Sequence, residues 1–113
     1  MTNYIDLHTH SNASDGTCTP TEVVRLAAQK GLRAMALTDH DTVSGVEEAM
    51  NTASAFSLPI QVIPGTELSV AYKKQDIHIV GLFVDHRNKS FQDMTQLLIR
   101  RRLERNEEMI RRF

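Results

Sequence analysis

Histidine and carboxylate side chains recur in this sequence at spacings that suit metal binding. They lie at or just after three apolar runs and in one intervening loop: His8, His10, Asp15, Asp39, His40 and Glu67. Imidazole mixed with carboxylate, and no cysteine in the pattern, favours Mn²⁺, Fe²⁺ or Zn²⁺ over a structural zinc site of the cysteine type. Such ions make hydroxide at neutral pH and bind the attacking and leaving oxygens of a phosphoryl group.

Each signal alone also has a simpler interpretation. His8 and His10 would face the same side of a strand about 6.6 Å apart, but they could be partly exposed strand-end residues. The Asp39-His40-Asp41 segment could cap a helix, and Glu67 could be a solvated strand residue. Three strand ends that carry such residues together favour a shared site.

The elements that must position these residues alternate between strand and helix. Apolar runs predict strands, and 3.6-residue patterns with Thr19-Pro20-Thr21-Glu22 and Ser44-Gly45-Val46-Glu47 capping boxes predict helices. The predicted strands cover residues 4–9, 34–38 and 60–63, and the predicted helices end at Gly31 and near Phe56. This α/β order implies a parallel sheet whose C-terminal strand ends meet at one edge.

After Gly65 the pattern changes to an antiparallel hairpin. Residues 68–72 and 77–84 alternate in polarity, and residues 73–76 read as a four-residue turn. In that register Leu82 lies opposite Glu67 and Ala71 lies opposite His78. Glu67 and His78 would then be about 13 Å apart along the hairpin, too far for one metal ion.

Taken together, the motifs resemble those of the PHP (polymerase and histidinol phosphatase) superfamily. The matching segments, in chain order, are Asp6-Leu7-His8-Thr9-His10-Ser11, Asp15-Gly16, Leu37-Thr38-Asp39-His40-Asp41-Thr42, Gly65-Thr66-Glu67 and Ile77-His78-Ile79-Val80-Gly81-Leu82-Phe83-Val84-Asp85. Their order and short spacings are most similar to the branch that hydrolyses nucleoside 3',5'-bisphosphates and short oligonucleotides.

The resemblance implies the N-terminal part of an irregular, seven-stranded TIM-like (β/α) barrel, ending here in a hairpin and a long helix. It also implies two or three divalent ions (Mn, Zn or Fe) and six metal ligands: His8, His10, Asp15, His40, Glu67 and His78. Glu67 would bridge two ions, while Asp6, Asp39 and Asp41 would orient ligands. Asp41 is also the candidate catalytic general acid.

The implied activity is metal-dependent hydrolysis of small phosphorylated nucleotides. Alternatives are a phosphatase of another small metabolite such as histidinol phosphate, a polymerase-type exonuclease, and a non-catalytic metal-binding or assembly module. A barrel of this type needs about 250 residues, and the chain has 113. We therefore expect residues 1–85 to be half of the metal-binding domain, with residues 86–113 leading toward an absent remainder, and inactivity of this chain alone stays open.

The composition limits the partners and the cellular location that we expect for this protein. The net charge is −1 and Cys18 is the single cysteine, so neither a stable nucleic-acid partner nor an internal disulfide is expected. We find no signal peptide pattern and no apolar stretch near the roughly 20 residues that cross a bilayer. These features predict a cytoplasmic protein without a membrane partner.

The last predicted helix, residues 90–113, is amphipathic and rich in arginine. Its arginines could hold phosphate, but the spacing of Arg100–Glu104, Glu107–Arg111 and Glu108–Arg112 is typical of a solvated face with ion pairs. Its apolar residues repeat at three- and four-residue steps, namely Ile99, Leu103, Ile110 and Phe113. If exposed, this apolar stripe would favour a homodimer.

Overall fold

A computed structural model describes residues 4–111, and the side chains of residues 4–104. The elements in chain order are β1 (Tyr4–Thr9), α1 (Pro20–Gln29), β2 (Leu32–Leu37), α2 (Val46–Ala55), β3 (Gln61–Tyr72), β4 (Gln75–Leu82) and α3 (Lys89–Arg111). The strands form one sheet in the order β1-β2-β3-β4. The predicted α/β class is confirmed, whereas the seven-stranded barrel stays a prediction.

The parallel half of the sheet is built around β2. It pairs in parallel with β1 on one side and with β3 on the other, as the alternation of strands and helices predicts. Met35, Ala36 and Leu37 of β2 are completely buried, as expected for a strand covered on both faces. Apolar residues of α1 and α2, including Val24 and Val46, pack into the same core. This packing holds the C-terminal ends of the three strands at one edge.

The third strand is longer than predicted and changes partners along its length. The sequence suggested a break at Pro64-Gly65, but β3 continues through both residues. Its first half pairs in parallel with β2, and its second half pairs antiparallel with β4. A Cβ on Gly65 would lie 2.9 Å from the carbonyl oxygen of Gly81, so only glycine permits the two backbones to approach this closely.

The hairpin turn is tighter than predicted. Lys73 and Lys74 have φ angles of 49° and 66°, and Tyr72 pairs with Gln75. This is a two-residue turn with positive φ at both central positions, the geometry that matches the twist of paired strands. The predicted four-residue turn is therefore wrong, and so is its register, because His78 lies opposite Ser69.

The two predicted capping boxes have different outcomes. In the first, the Thr19 hydroxyl accepts the Glu22 N–H, and the Glu22 carboxylate accepts the Thr19 N–H. The second is wrong, since α2 begins after Gly45 without a side-chain cap. The carboxylate of Glu47 instead accepts hydrogen bonds from His86 and Arg87, about 40 residues away.

Helix α3 begins at Lys89, one residue before its predicted start. The predicted pairs Glu107–Arg111 and Glu108–Arg112, and the apolar residues Ile110 and Phe113, lie outside the described side chains. Dimerisation through this helix stays a prediction. Within residues 4–111, none of the helices combines the length and apolar character needed to cross a membrane.

Candidate metal centre

Glu67 lies at the centre of a histidine cluster. It is the seventh residue of β3 and only 5% exposed, with its carboxylate directed at four imidazoles. One oxygen, Oε1, contacts Nε2 of His8 and, at 3.2 Å, Nε2 of His10. The other, Oε2, lies 2.8 Å from Nδ1 of His78 and 3.4 Å from Nδ1 of His40. Each oxygen therefore serves a separate pair of histidines.

Asp15 links the two inner histidines from the opposite side. Its Oδ1 lies 2.6 Å from Nδ1 of His10, and its Oδ2 lies 3.2 Å from Nε2 of His40. The four imidazoles form a row, with centroid distances of 5.1 Å from His8 to His10, 4.5 Å to His40 and 5.6 Å to His78. Carboxylates thus flank a continuous row of ring nitrogens.

The six side chains form three overlapping groups in which one ligand-type atom from each residue lies within 4.8 Å of the others. The groups are His8-His10-Glu67, His10-Asp15-His40 and His40-Glu67-His78. The structure thus brings together all six residues that the sequence proposed as metal ligands. Their ligation of a metal stays a prediction.

The tight hairpin turn explains how His78 joins the cluster. Since His78 pairs with Ser69, it is a diagonal neighbour of Glu67, which lies two residues earlier on β3. Diagonal residues on one face of a hairpin are within reach of long side chains. The 13 Å separation expected from the sequence is therefore wrong, because it assumed two extra residues in the turn.

Asp39 anchors the loop that carries Asp15. It is 1% exposed. Its carboxylate accepts hydrogen bonds from the Ser11 N–H at 2.6 Å, the Ser11 hydroxyl at 2.7 Å and the Ser14 hydroxyl at 2.8 Å. A buried carboxylate is stable only when it is hydrogen-bonded in this way. Asp39 therefore fixes the loop after β1 through Ser11 and Ser14, contacts that the sequence did not reveal. Its role in orienting metal ligands stays a prediction.

Asp41 is also 1% exposed but holds different partners. Its Oδ1 accepts the Ser69 N–H at 2.8 Å, and its Oδ2 accepts a hydrogen bond from Arg102 at 2.9 Å. Among the described residues, these contacts join the end of β2 to β3 and α3. Neither partner is a proposed metal ligand, so the orienting role and the catalytic role of Asp41 both stay predictions. Asp6 accepts the His8 N–H at 3.1 Å.

Hydrogen bonds and charges within the cluster shift the pKa values of His10, Asp15 and Glu67. Burial acts to lower the pKa of His10, but hydrogen bonds and charge from Asp15 and Glu67 outweigh it and raise that pKa. The hydrogen bond from His10 lowers the pKa of Asp15. Burial acts to raise the pKa of Glu67, yet His8, His40, His78 and His10 together lower it. These shifts favour the charged forms of His10, Asp15 and Glu67, so the two carboxylates would attract a cation.

The donor set fits divalent ions. Two ligands on one tetrahedral ion with bonds of about 2.0–2.1 Å lie about 3.3 Å apart, close to the 3.2 Å of His10–Glu67 and the 3.4 Å of His40–Glu67. A neutral imidazole has one acceptor nitrogen, so His10 and His40 each serve one ion at a time. The six residues can therefore fill at most two complete groups at once.

Comparison with known proteins identifies the family. The family model described as "PHP domain" matches residues 6–112. The chain belongs to the PHP domain family. It is 45% identical over 98 residues to a 5'-3' exoribonuclease of Haemophilus influenzae, covering 87% of this chain and 34% of that protein. It is 40% identical over 105 residues to a 3',5'-nucleoside bisphosphate phosphatase of Chromobacterium violaceum, covering 93% and 36% respectively.

A solved structure agrees with this assignment. The crystal structure of a Bifidobacterium adolescentis protein, proposed to be a metal-dependent phosphoesterase, matches with a TM-score of 0.81 and 30% identity. The match covers 96% of this chain and 37% of that one. The chain spans about a third of the length of the curated relatives it matches. The PHP resemblance seen in the sequence motifs is confirmed.

Proposed function

We propose that this PHP domain belongs to a metal-dependent enzyme that hydrolyses phosphate esters of small nucleotides. The observation that carries the proposal is Glu67, whose two oxygens face two separate pairs of histidines. A carboxylate in this position is suited to bridge two ions. Nucleoside bisphosphates and short oligonucleotides are the proposed substrates, since the relatives named above are a nucleoside bisphosphate phosphatase and an exoribonuclease.

The proposed ions are Mn²⁺, Zn²⁺ or Fe²⁺, in agreement with the imidazole and carboxylate donors. When bound, such ions supply hydroxide at neutral pH and neutralise charge on phosphoryl oxygens. Glu67 would hold an ion on each oxygen, and His8 and His78 would bind at opposite ends of the row of rings. Asp15 would fix His10 and His40 between them.

Hydrogen bonds from neighbouring residues support the segments that carry the proposed ligands. Asp39 fixes the loop that bears Asp15 through three hydrogen bonds, and Thr66 donates to the Asp39 carbonyl at 3.0 Å next to Glu67. Such supporting contacts orient ligands and commonly change metal affinity by about 10- to 100-fold when removed. A site held this firmly on strand ends is suited to position a phosphoryl group.

The test is metal content followed by phosphate release. The chain, purified after loading with Mn²⁺ or Zn²⁺, should retain ions by elemental analysis, and His8→Ala should lose at least one. His86→Ala is the matched control, because His86 pairs with Glu47 outside the cluster and its loss should leave metal content unchanged. Retained ions would then justify a screen for release of phosphate from adenosine 3',5'-bisphosphate.

Equal metal content in the native chain and in His8→Ala would contradict the proposed site. Retained metal without hydrolysis of any nucleotide ester would contradict catalysis by this chain and favour a metal-binding module. Hydrolysis of histidinol phosphate in preference to nucleotides would replace the proposed substrate class.

A further inference from the structure

The two carboxylates of the metal centre, Asp15 and Glu67, are held by the fold to different degrees. The side chain of Asp15 is 59% exposed, whereas that of Glu67 is 6% exposed. Glu67 lies within β3, where its backbone N–H and carbonyl are bonded to Asp39 and Asp41. Asp15 lies on the loop between β1 and α1. Its carboxylate therefore needs support from polar contacts to keep one direction.

The backbone of this loop is fixed by its own hydrogen bonds. It turns around the carbonyl of Ser11, which accepts the N–H groups of Ser14 at 3.2 Å and Gly16 at 2.9 Å. The Asn12 N–H donates to the Cys18 carbonyl at 2.7 Å and closes the loop. These bonds set the path of the backbone, but they leave open the torsion angles of the side chains that the loop carries.

One contact of the Asp15 carboxylate does not involve a proposed metal ligand. Among the described residues, this carboxylate contacts the side chains of His10, His40 and Ser14. The histidine contacts depend on which ring nitrogens carry protons and on whether ions are bound, because a nitrogen that binds an ion carries no proton. The Ser14 hydroxyl has no such dependence. It lies 3.3 Å from Oδ1 of Asp15 and 2.8 Å from Oδ1 of Asp39.

The Ser14 hydroxyl thus lies between two carboxylates. Like charges at short range disfavour each other, and a donor that both carboxylates share in a three-centre hydrogen bond reduces this repulsion. Asp39 is 1% exposed and is held by the N–H and hydroxyl of Ser11, so its position is fixed. Asp15 is the exposed member of the pair. Without the hydroxyl, we expect the Asp15 carboxylate to turn away from Asp39 toward solvent.

We propose that Ser14 is a positioning residue for the metal centre and acts through Asp15. The inference rests on the proposed function for the presence of ions at the cluster. Asp15 can bind an ion itself, or it can accept N–H groups of histidines that bind ions at Glu67. In both cases its two oxygens must face His10 and His40. The Ser14 hydroxyl keeps Oδ1 in that direction, and Oδ2 follows because the carboxylate is planar.

The test measures metal affinity rather than activity. Binding of Mn²⁺ to the purified chain is followed by equilibrium dialysis, with elemental analysis of ions per chain at each concentration of unbound Mn²⁺. Ser14→Ala should weaken Mn²⁺ binding by about tenfold or more, the lower end of the loss that follows removal of a residue that orients a ligand. Ser14→Thr retains the hydroxyl and should recover part of the affinity.

A double variant identifies the route by which Ser14 acts. Asp15→Ala should weaken Mn²⁺ binding by itself, and adding Ser14→Ala to it should cause little further loss, since the residue that Ser14 positions is already absent. Thr21→Val is the matched control, because the Thr21 hydroxyl donates to the Glu48 carboxylate at 2.9 Å outside the cluster. This control and Ser14→Ala should both lower the Tm, but only Ser14→Ala should lower Mn²⁺ affinity.

Native Mn²⁺ affinity in Ser14→Ala would overturn the inference, and so would losses that add in full in the double variant. An equal loss in Thr21→Val would also overturn it, because the loss would then reflect lower stability rather than the position of Asp15. A native chain that binds no Mn²⁺ would contradict both the inference and the proposed function. If binding follows the expected pattern but no phosphate ester is hydrolysed, the role of Ser14 is supported and the catalytic proposal fails.

Discussion

Two glutamates in this molecule, Glu67 and Glu47, each contact several basic side chains, but the types of these side chains differ. Glu67, with a side chain 6% exposed, forms ion pairs only with histidines among the described side chains. Glu47, with a side chain 45% exposed, contacts His86 at 2.8 Å and also Arg87 at 2.6 Å. Both clusters place a histidine nitrogen on a carboxylate, so that contact alone does not distinguish a metal site from an ion pair.

The difference lies in whether the partners can exchange a proton for a metal ion. A histidine can become neutral and offer a ring nitrogen, whereas arginine keeps its charge and has no acceptor atom. The hydrogen bond from Arg87, with a further contribution from His86, lowers the pKa of Glu47 to about 2. Glu47 is thus paired with the Arg87 guanidinium, which cannot bind a metal ion. In contrast, every partner of Glu67 in the cluster is a potential metal ligand.

The most direct test of this difference between Glu67 and Glu47 is to neutralise each glutamate in turn. Glu67→Gln replaces one of the two carboxylate oxygens with an amide nitrogen and removes the negative charge, so at least one histidine pair loses its shared oxygen. We expect metal affinity to fall by about 100-fold or more, beyond the roughly 10- to 100-fold cost of losing a supporting residue. Glu47→Gln should leave metal affinity unchanged. Competition with a chelator of known affinity measures both variants against the native chain.

An equal fall in metal affinity in the two variants would refute the distinction, because it would mean that long-range charge rather than ligation attracts the ions. Unchanged metal affinity in Glu67→Gln would show that Glu67 is not a metal ligand.

The sequence predicted the local parts of this arrangement well. Strand β1, the Thr19 capping box and the positions of ligand-type residues at strand ends all follow from short-range patterns. The predictions were wrong where the local structure depends on a residue distant in sequence or on an unusual backbone conformation. The Ser44 capping box is wrong because Glu47 binds Arg87, and nothing near Glu47 in sequence indicates that partner.

The hairpin register is a second feature that the local sequence did not predict. Two-residue turns with positive φ usually contain glycine or asparagine, but this one contains Lys73 and Lys74, so its sequence did not indicate a tight turn. The error of two residues placed His78 too far from Glu67. Only the resemblance to PHP proteins put His78 among the ligands, and the structure brings it to 2.8 Å from Glu67.

A second prediction concerns how closely β3 approaches β4 near Glu67. In Gly65→Ala the new methyl group would lie 2.9 Å from both the Gly81 carbonyl and Thr38 Cγ2. We expect the free energy of unfolding to fall by about 1–3 kcal/mol, the usual cost of overpacking, with weaker metal binding as Glu67 shifts. Denaturant unfolding of the metal-free chain measures the first effect.

Gly81→Ala is the control for this prediction. Its new methyl group would meet Val84 at 3.4 Å and otherwise only a carbonyl at 3.9 Å, so its cost should be clearly smaller. Equal stability losses in the two variants would mean that strand flexibility, rather than the close approach at Gly65, sets the energy.

The smallest expected effect is the pH dependence of the Glu47 cluster. The pKa of Glu47 in the folded chain is about 2, below its ordinary value of 4.5, so the carboxylate stabilises the fold above pH 4.5 and this contribution is lost as pH falls toward 2. The Tm difference between the native chain and Glu47→Gln should therefore be largest near pH 6 and shrink across that window. Protonation of Asp15 and Glu67 occurs in both metal-free proteins and cancels in the difference. A Tm difference that stays constant from pH 6 to pH 3 would show that packing of residue 47, not its charge, stabilises the junction with Arg87.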